Sequence, residues 1–347
     1  MPKQDKPNIV FILGAGCSQE DQVPLVSDFF DISFNKVMRH LPENERIKFE
    51  NILNFRENFL PGSDIEQLFS YIDLERYLFP QEINRNLNNI RKDLMFVIAK
   101  TIEQNIISGH SQNYKNFYDR HLHGLDKPTV ITFNWELLAD NTFFEQGVHE
   151  WLGENFLIDY GADFHRLVGN TSQNIDREEA PVKLLKLHGS LNWLHCKTCP
   201  QNNLFFIPYE KIMPGVSIPC PTCNNPLDTI MVPPSFQKIE QGSELSFLSA
   251  IWREAETALI NADKIVIVGY SFPDDDVHFK HFFRGALVAN YKRIPNKDIT
   301  IEVVNHKSFS QDKIDFENHY KKILTIPRVR TDVEFVFKKF SNYANPP

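Results

Sequence analysis

Asn8-Ile-Val-Phe-Ile-Leu-Gly-Ala-Gly-Cys-Ser18 decides how the chain is read. An apolar run of strand length ends in Gly14-Ala15-Gly16, where a helix can begin. In open α/β proteins a strand that feeds a glycine turn and a helix start cradles a pyrophosphate, because backbone N–H groups and the positive helix end face the anion. Glycines there let the main chain approach a phosphate with no Cβ between them. The third glycine of the dinucleotide fingerprint is missing, so a tight turn without a ligand is the competing reading.

The same arrangement recurs downstream. Pro128-Thr-Val-Ile-Thr-Phe133 reads as a buried strand followed by Asn134, and Val182-Lys-Leu-Leu-Lys-Leu187 as another followed by His188-Gly189. Lys264-Ile-Val-Ile-Val268 leads into Gly269-Tyr270-Ser271, and Ile299-Thr-Ile-Glu-Val-Val304 into Asn305. Polar residues just beyond parallel strands stand at the carboxyl edge of the sheet, where α/β proteins bind ligands. Histidine there can accept a proton near neutrality. Asn134 reads equally well as a cap for the helix expected over 137–144. The acidic run Asp274 to Asp276 reads as a helix start, not as a metal site.

Between the first two strands, residues 27–126 show helical periodicity, with segments at 64–78 and 87–107 and a capping pattern at Ser63, Asp64, Glu66 and Gln67. Their Phe and Leu stripe reads as core. Helices are also expected at about 245–261 and, closing the chain, at about 332–343. The expected fold is α/β: a Rossmann-like doubly wound parallel sheet made of 1–26, 128–189 and 233–347. A helical insertion module at 27–127 and a zinc-ribbon module at 190–232 complete the organisation.

The ribbon rests on Cys196-Lys-Thr-Cys199 and Cys220-Pro-Thr-Cys223, with 20 residues between the pairs. Two such knuckles supply four thiolates for a structural Zn2+ and leave no open position for catalysis. His195 is a superfluous fifth candidate. With 347 residues the chain can bury a large core. Its net charge of -8 supplies no global basic field for nucleic acid. No apolar run approaches the roughly 20 residues of a membrane span, and no signal peptide is visible at Met1 to Pro7, so a cytoplasmic protein with no membrane contact is expected.

In content and order, Gly14-Ala-Gly-Cys-Ser18, Thr132-Phe-Asn134, Leu187-His-Gly-Ser190, the paired CxxC, Gly269-Tyr-Ser271 and Val304-Asn305 resemble the sirtuin superfamily. The resemblance covers about 8–26 and 128–306. It implies NAD+ as substrate, with Gly14, Ala15, Gly16 and Ser18 around the pyrophosphate and Thr132 close by. Asn134 would lie beside the nicotinamide ribose and His188 would be the base, with Gly269, Ser271 and Asn305 on the adenosine side. The chain departs from the deacylases: Thr-Gln-Asn-Ile-Asp is replaced by Thr132-Phe-Asn-Trp-Glu136, and Pro-Asp-Phe-Arg by Val23-Pro-Leu-Val26. Val232-Pro-Pro-Ser-Phe-Gln-Lys238 stands in place of the peptide-pairing loop. It looks more like the bacterial sirtuin-like domains that hydrolyse NAD+ in antiphage defence, which implies a homo-oligomer and, as in some relatives, a ring-forming ATPase partner. A lysine deacylase and a non-catalytic NAD+ or ADP-ribose sensor are the alternatives.

Overall fold

A computed structural model describes residues 7–78, 84–106, 110–148, 158–200, 203–208, 218–231, 246–273, 276–294 and 298–345. In chain order, strand β1 (Ile9–Leu13) is followed by helices α1 (Phe29–Ile32), α2 (Glu43–Phe59), α3 (Ile65–Leu78), α4 (Asn84–Asn105) and α5 (Gln112–Phe117). Then come β2 (Thr129–Thr132), α6 (Leu138–Val148), β3 (Phe164–Val168), β4 (Thr171–Asn174), β5 (Lys183–Lys186) and β6 (Gly189–His195). Next are β7 (Leu204–Phe206), β8 (Ile218–Pro219), β9 (Pro226–Met231), α7 (Ser246–Asn261), β10 (Lys264–Val268) and α8 (Val277–Arg293). The chain closes with β11 (Ile299–Val304), α9 (Ser310–Leu324), β12 (Thr331–Val336) and α10 (Phe340–Ala344).

The fold is α/β. Six parallel strands form one sheet in the order β12-β11-β10-β1-β2-β5. The chain winds outward from β1 through β2 to β5, returns to the other side of β1, and winds outward again through β10, β11 and β12. The direction of winding reverses between β1 and β10. The inner strands are near-continuous apolar runs because both of their faces are covered. Their side chains head the largest core cluster, with Leu259, Phe279, Phe283 and Leu287 from α7 and α8 against them.

The chain end differs from the expected closing helix over 332–343. Residues 331–336 form the outer strand β12, and only Phe340–Ala344 is helical. Val333 and Phe335 alternate with exposed Asp332 and Glu334, a two-residue period that fits an edge strand solvated on one face. Nor does an α-helix start at the glycine turn. Two 3-10 turns, Ala15–Cys17 and Gln19–Asp21, lead to Gln22 in the left-handed region at φ 67°.

Elsewhere the local signals hold. Asp64 accepts from Gln67 N at 2.8 Å while Gln67 Oε1 accepts from Asp64 N at 3.2 Å, a reciprocal cap on α3. Asp276 caps α8 through Phe279 N, whereas Asp274 and Asp275 lie outside the described residues. The helices of 29–105 bury a second core around Phe49, Leu68, Phe69 and Leu94, which also takes in Leu137, Leu191 and Met231. The helical module is thereby packed onto the chain that follows β2.

A second sheet has the order β4-β3-β7-β6-β9-β8. It is wider than residues 190–232, since the β3–β4 hairpin at 164–174 joins it through β7. The hairpin interrupts the path from β2 to β5, and its exposed Thr171-Ser-Gln-Asn174 carries no hydrophobic pattern. The chain passes from the first sheet to the second at Gly189, where φ is +76° and a Cβ would meet Ile230 O at 2.3 Å. Only glycine fits this crossing. No described helix is long and apolar enough to cross a membrane.

Candidate functional site

The strand register brings the predicted site residues to one edge. Leu13 is paired with Thr132 on one side and Val268 on the other, Val268 with Val304, and Thr132 with Lys186. Gly14, Gly269 and Asn305 therefore each stand one residue past a common row. Asn134 and His188 each stand two residues past it, on the neighbouring strands β2 and β5. Strands lie about 4.8 Å apart, so residues remote in sequence share the carboxyl edge on both sides of the reversal point.

The glycine turn is engaged with the protein itself. Gly14 N donates to Val268 O and Gly16 N to Gly269 O, both at 2.9 Å. A Cβ on Gly14 would meet Gly269 O at 2.5 Å and Tyr270 Cα at 2.6 Å, and one on Gly16 would meet Gly269 O at 2.8 Å. Gly269 has φ +63°, and its own Cβ would strike Cys17 N at 2.6 Å. These glycines let two strand ends touch. Cys17 is fully buried, its thiol donates to Val268 O at 3.1 Å, and burial pushes it well above the ordinary thiol range. That is the environment of an inert thiol.

Behind the turn lies a buried polar network. Ser18 Oγ, with no exposure, donates to Glu136 Oε1 at 2.6 Å and lies 2.8 Å from the Tyr114 hydroxyl. Asn134 Nδ2 reaches Gly14 O at 3.2 Å, Ser18 Oγ at 3.1 Å and Glu136 Oε1 at 3.2 Å. Thr132 Oγ1 donates to Leu13 O and accepts from Asn134 N, so it fixes the chain on which Asn134 rides. Glu136 Oε2 accepts from Leu138 N at the start of α6. Lys186 Nζ donates to Glu136 O and to Asp140 Oδ2, both at 2.7 Å, and Tyr160 donates to Asp140 Oδ1. Desolvation pushes the Glu136 carboxyl above its ordinary value, against the pull of the Lys186 charge and the bond from Ser18.

His188 is 4 % exposed, at the crossing between the sheets. Its ring meets Phe133 edge-on at 5.1 Å, and Phe133 stacks on Tyr270 at 4.5 Å. Trp135 Nε1 donates to His188 O at 2.8 Å. The tip of β5 is thus tied to the tip of β2 by an indole bond and an aromatic contact. Ser271 is exposed and Asn305 partly so, with Asn305 N donating to Val336 O. Among the described residues neither side chain hydrogen-bonds to the Asn134 network. The Val232–Lys238 segment lies outside the described residues.

A separate candidate metal centre sits in the second sheet. Strand β6 delivers Cys196, and Cys220 follows β8. The sulfurs of Cys196, Cys199, Cys220 and Cys223 lie within 4.8 Å of one another, with Cys196–Cys223 at 3.5 Å and Cys199–Cys220 at 3.9 Å. A Zn–S bond of about 2.3 Å sets tetrahedral edges of about 3.8 Å, so the donor set fits zinc. Burial and the neighbouring sulfurs push the Cys199 thiol up to about 12. His195 lies outside the set, 3.2 Å from Asn203 Nδ2.

Sequence reasoning missed Glu136, Asp140, Lys186 and Tyr114 as members of the site. A signal existed for three of them: Lys186 directly follows two leucines at the end of a strand read as buried, and Glu136 and Asp140 are spaced i,i+4 just after Asn134. Tyr114 carried none, because it comes from the helical module and meets Ser18 only through the fold. No protein-family model and no curated protein matches the chain.

Proposed function

We propose that the chain is a sirtuin-like NAD+ hydrolase that releases ADP-ribose and nicotinamide, acting in bacterial antiphage defence, on a Rossmann-like sheet with a structural zinc module. The carrying observation is that Asn134 and His188 stand at matching positions past the neighbouring strands β2 and β5, at the same carboxyl edge as the reversal point and on its β1 side. In chain order the sheet reads 3-2-1-4-5-6, the order of dinucleotide-binding folds, whose ligands lie outside the strand ends at that point. Gly14, Gly16 and Ser18 support the crevice through bonds within the protein. On the β10 and β11 side Ser271 is exposed and Asn305 partly so, which leaves both accessible to a ligand.

In the reaction a water oxygen forms a bond to the anomeric carbon of the nicotinamide ribose. The C–N glycosidic bond breaks with its electron pair going to the ring nitrogen, which discharges the pyridinium, so no acid is required for departure. Asn134 holds the water and the His188 imidazole takes its proton. Cys196, Cys199, Cys220 and Cys223 would hold zinc, which would brace the second sheet and with it β6, the strand that begins at the His188 crossing.

The test is purified protein with NAD+, with and without an acyl-lysine peptide. ADP-ribose and nicotinamide are expected without peptide, and His188→Ala should lose about 10²–10⁴-fold in kcat. Peptide-dependent O-acyl-ADP-ribose would make the chain a deacylase. Binding without turnover would make it a sensor.

A further inference from the structure

We propose that Glu136 is a positioning residue that clamps the Asn134 amide by its nitrogen, so that the carbonyl Oδ1 is the end offered to the crevice. This rests on the reading of Asn134 given above. Glu136 is 2 % exposed and Ser18 fully buried. Gly14 O and Glu136 Oε1 are acceptors only, and both lie 3.2 Å from Asn134 Nδ2. Ser18 Oγ spends its proton on Glu136 and therefore meets Asn134 with a lone pair. Turning the amide over would set a carbonyl oxygen against a carboxylate, a peptide carbonyl and a hydroxyl lone pair at once. The Tyr114 hydroxyl, 3.5 Å from Nδ2, is a longer contact and could donate to a turned-over oxygen, but the three closer acceptors favour the amide with its nitrogen inward.

The orientation matters for chemistry. An amide presenting Oδ1 accepts a hydrogen bond from the attacking water and leaves the lone pair of that water free for the anomeric carbon. An amide presenting Nδ2 would donate to that lone pair and blunt it. The second carboxylate oxygen is bound by Leu138 N, so the clamp is also anchored to the first turn of α6. Tyr114 from α5 closes the network at Ser18, which ties the helical module to the same clamp.

Glu136→Gln in the full chain tests this. Glutamine has the same shape but a single acceptor oxygen, which cannot serve Leu138 N together with Ser18 and Asn134. With its oxygen on Leu138 N, its NH2 faces Asn134 and favours the turned-over amide. We expect kcat for NAD+ hydrolysis to fall about 100-fold with KM within about threefold, and Glu136→Gln/Asn134→Ala to be no slower than Asn134→Ala alone. A multiplicative loss in the double variant, or a raised KM at unchanged kcat, overturns the clamp. Full activity in Asn134→Ala overturns the reading of the site instead.

An exchange variant keeps the test sharp if Glu136→Gln folds poorly. Asn134→Asp should be crippled by the facing carboxylate, and Asn134→Asp/Glu136→Gln, which restores one donor facing one acceptor, should recover at least about tenfold over Asn134→Asp. Absence of recovery in a folded double variant overturns the proposal.

Discussion

Gly14→Ala separates a glycine placed for a ligand from one placed for the fold. The Gly14 backbone, at φ -103° and ψ -178°, is open to alanine, so the substitution carries no intrinsic conformational strain. What opposes it is contact: the new methyl would lie 2.5 Å from Gly269 O, 2.6 Å from Tyr270 Cα and 2.7 Å from Tyr270 Cβ. Two of these atoms are backbone and cannot swing away. Relief requires the ends of β1 and β10 to part, which stretches the bonds from Gly14 N to Val268 O and from Gly16 N to Gly269 O. Overpacking costs about 1–3 kcal/mol, and a weakened buried backbone bond about 1–3 kcal/mol more. A loss of about 2–6 kcal/mol is expected without any ligand, read as a lower denaturant midpoint. Gly62→Ala is the comparison. Gly62 sits at φ +83° with nothing within 4 Å, so alanine there bears only the left-handed cost of about 1–2 kcal/mol. Gly14→Ala should be the less stable of the two. A wild-type midpoint for Gly14→Ala, together with weakened NAD+ affinity, would refute the argument and return this glycine to the pyrophosphate.

Two further outcomes follow from the buried groups. The Lys186–Asp140 pair is 1 % and 3 % exposed, so Lys186→Met, which strands Asp140 beside Glu136, should cost about 3–5 kcal/mol in urea unfolding. Adding Asp140→Asn should recover part of that loss, and an additive double variant would show that the two do not form one unit. Purified protein should carry about one zinc per chain. Cys196→Ser or a strong chelator should then lower metal content and stability together, and a metal content near zero in carefully purified wild type would dismiss the centre.

The inner strands β1, β2 and β10 were legible because each is a mostly apolar run with a polar or glycine residue close beyond its end, and that pattern reports burial on both faces. The cysteine knuckles were legible for a similar reason, since the spacing within each pair is set by one turn. The outer strand β12 was misread as helix because a short stretch of alternating Val, Phe, Asp and Glu becomes a strand only when β11 supplies its hydrogen bonds. The hairpin β3–β4 depends in the same way on β7.

What the sequence alone determined was the set of strand ends and therefore which residues gather at the carboxyl edge, because hydrophobic periodicity and residue order act locally. The tertiary structure decided what each of those residues does. Gly14 and Gly16 face a neighbouring strand, since the carbonyls of Val268 and Gly269 occupy their amides. Asn134 is oriented by a carboxylate two residues away and by a serine 116 residues away. Buried donors and acceptors must be satisfied wherever a partner is found, and those partners came from the turn after β1, from α5 and from the segment leading into α6, which folding brings together.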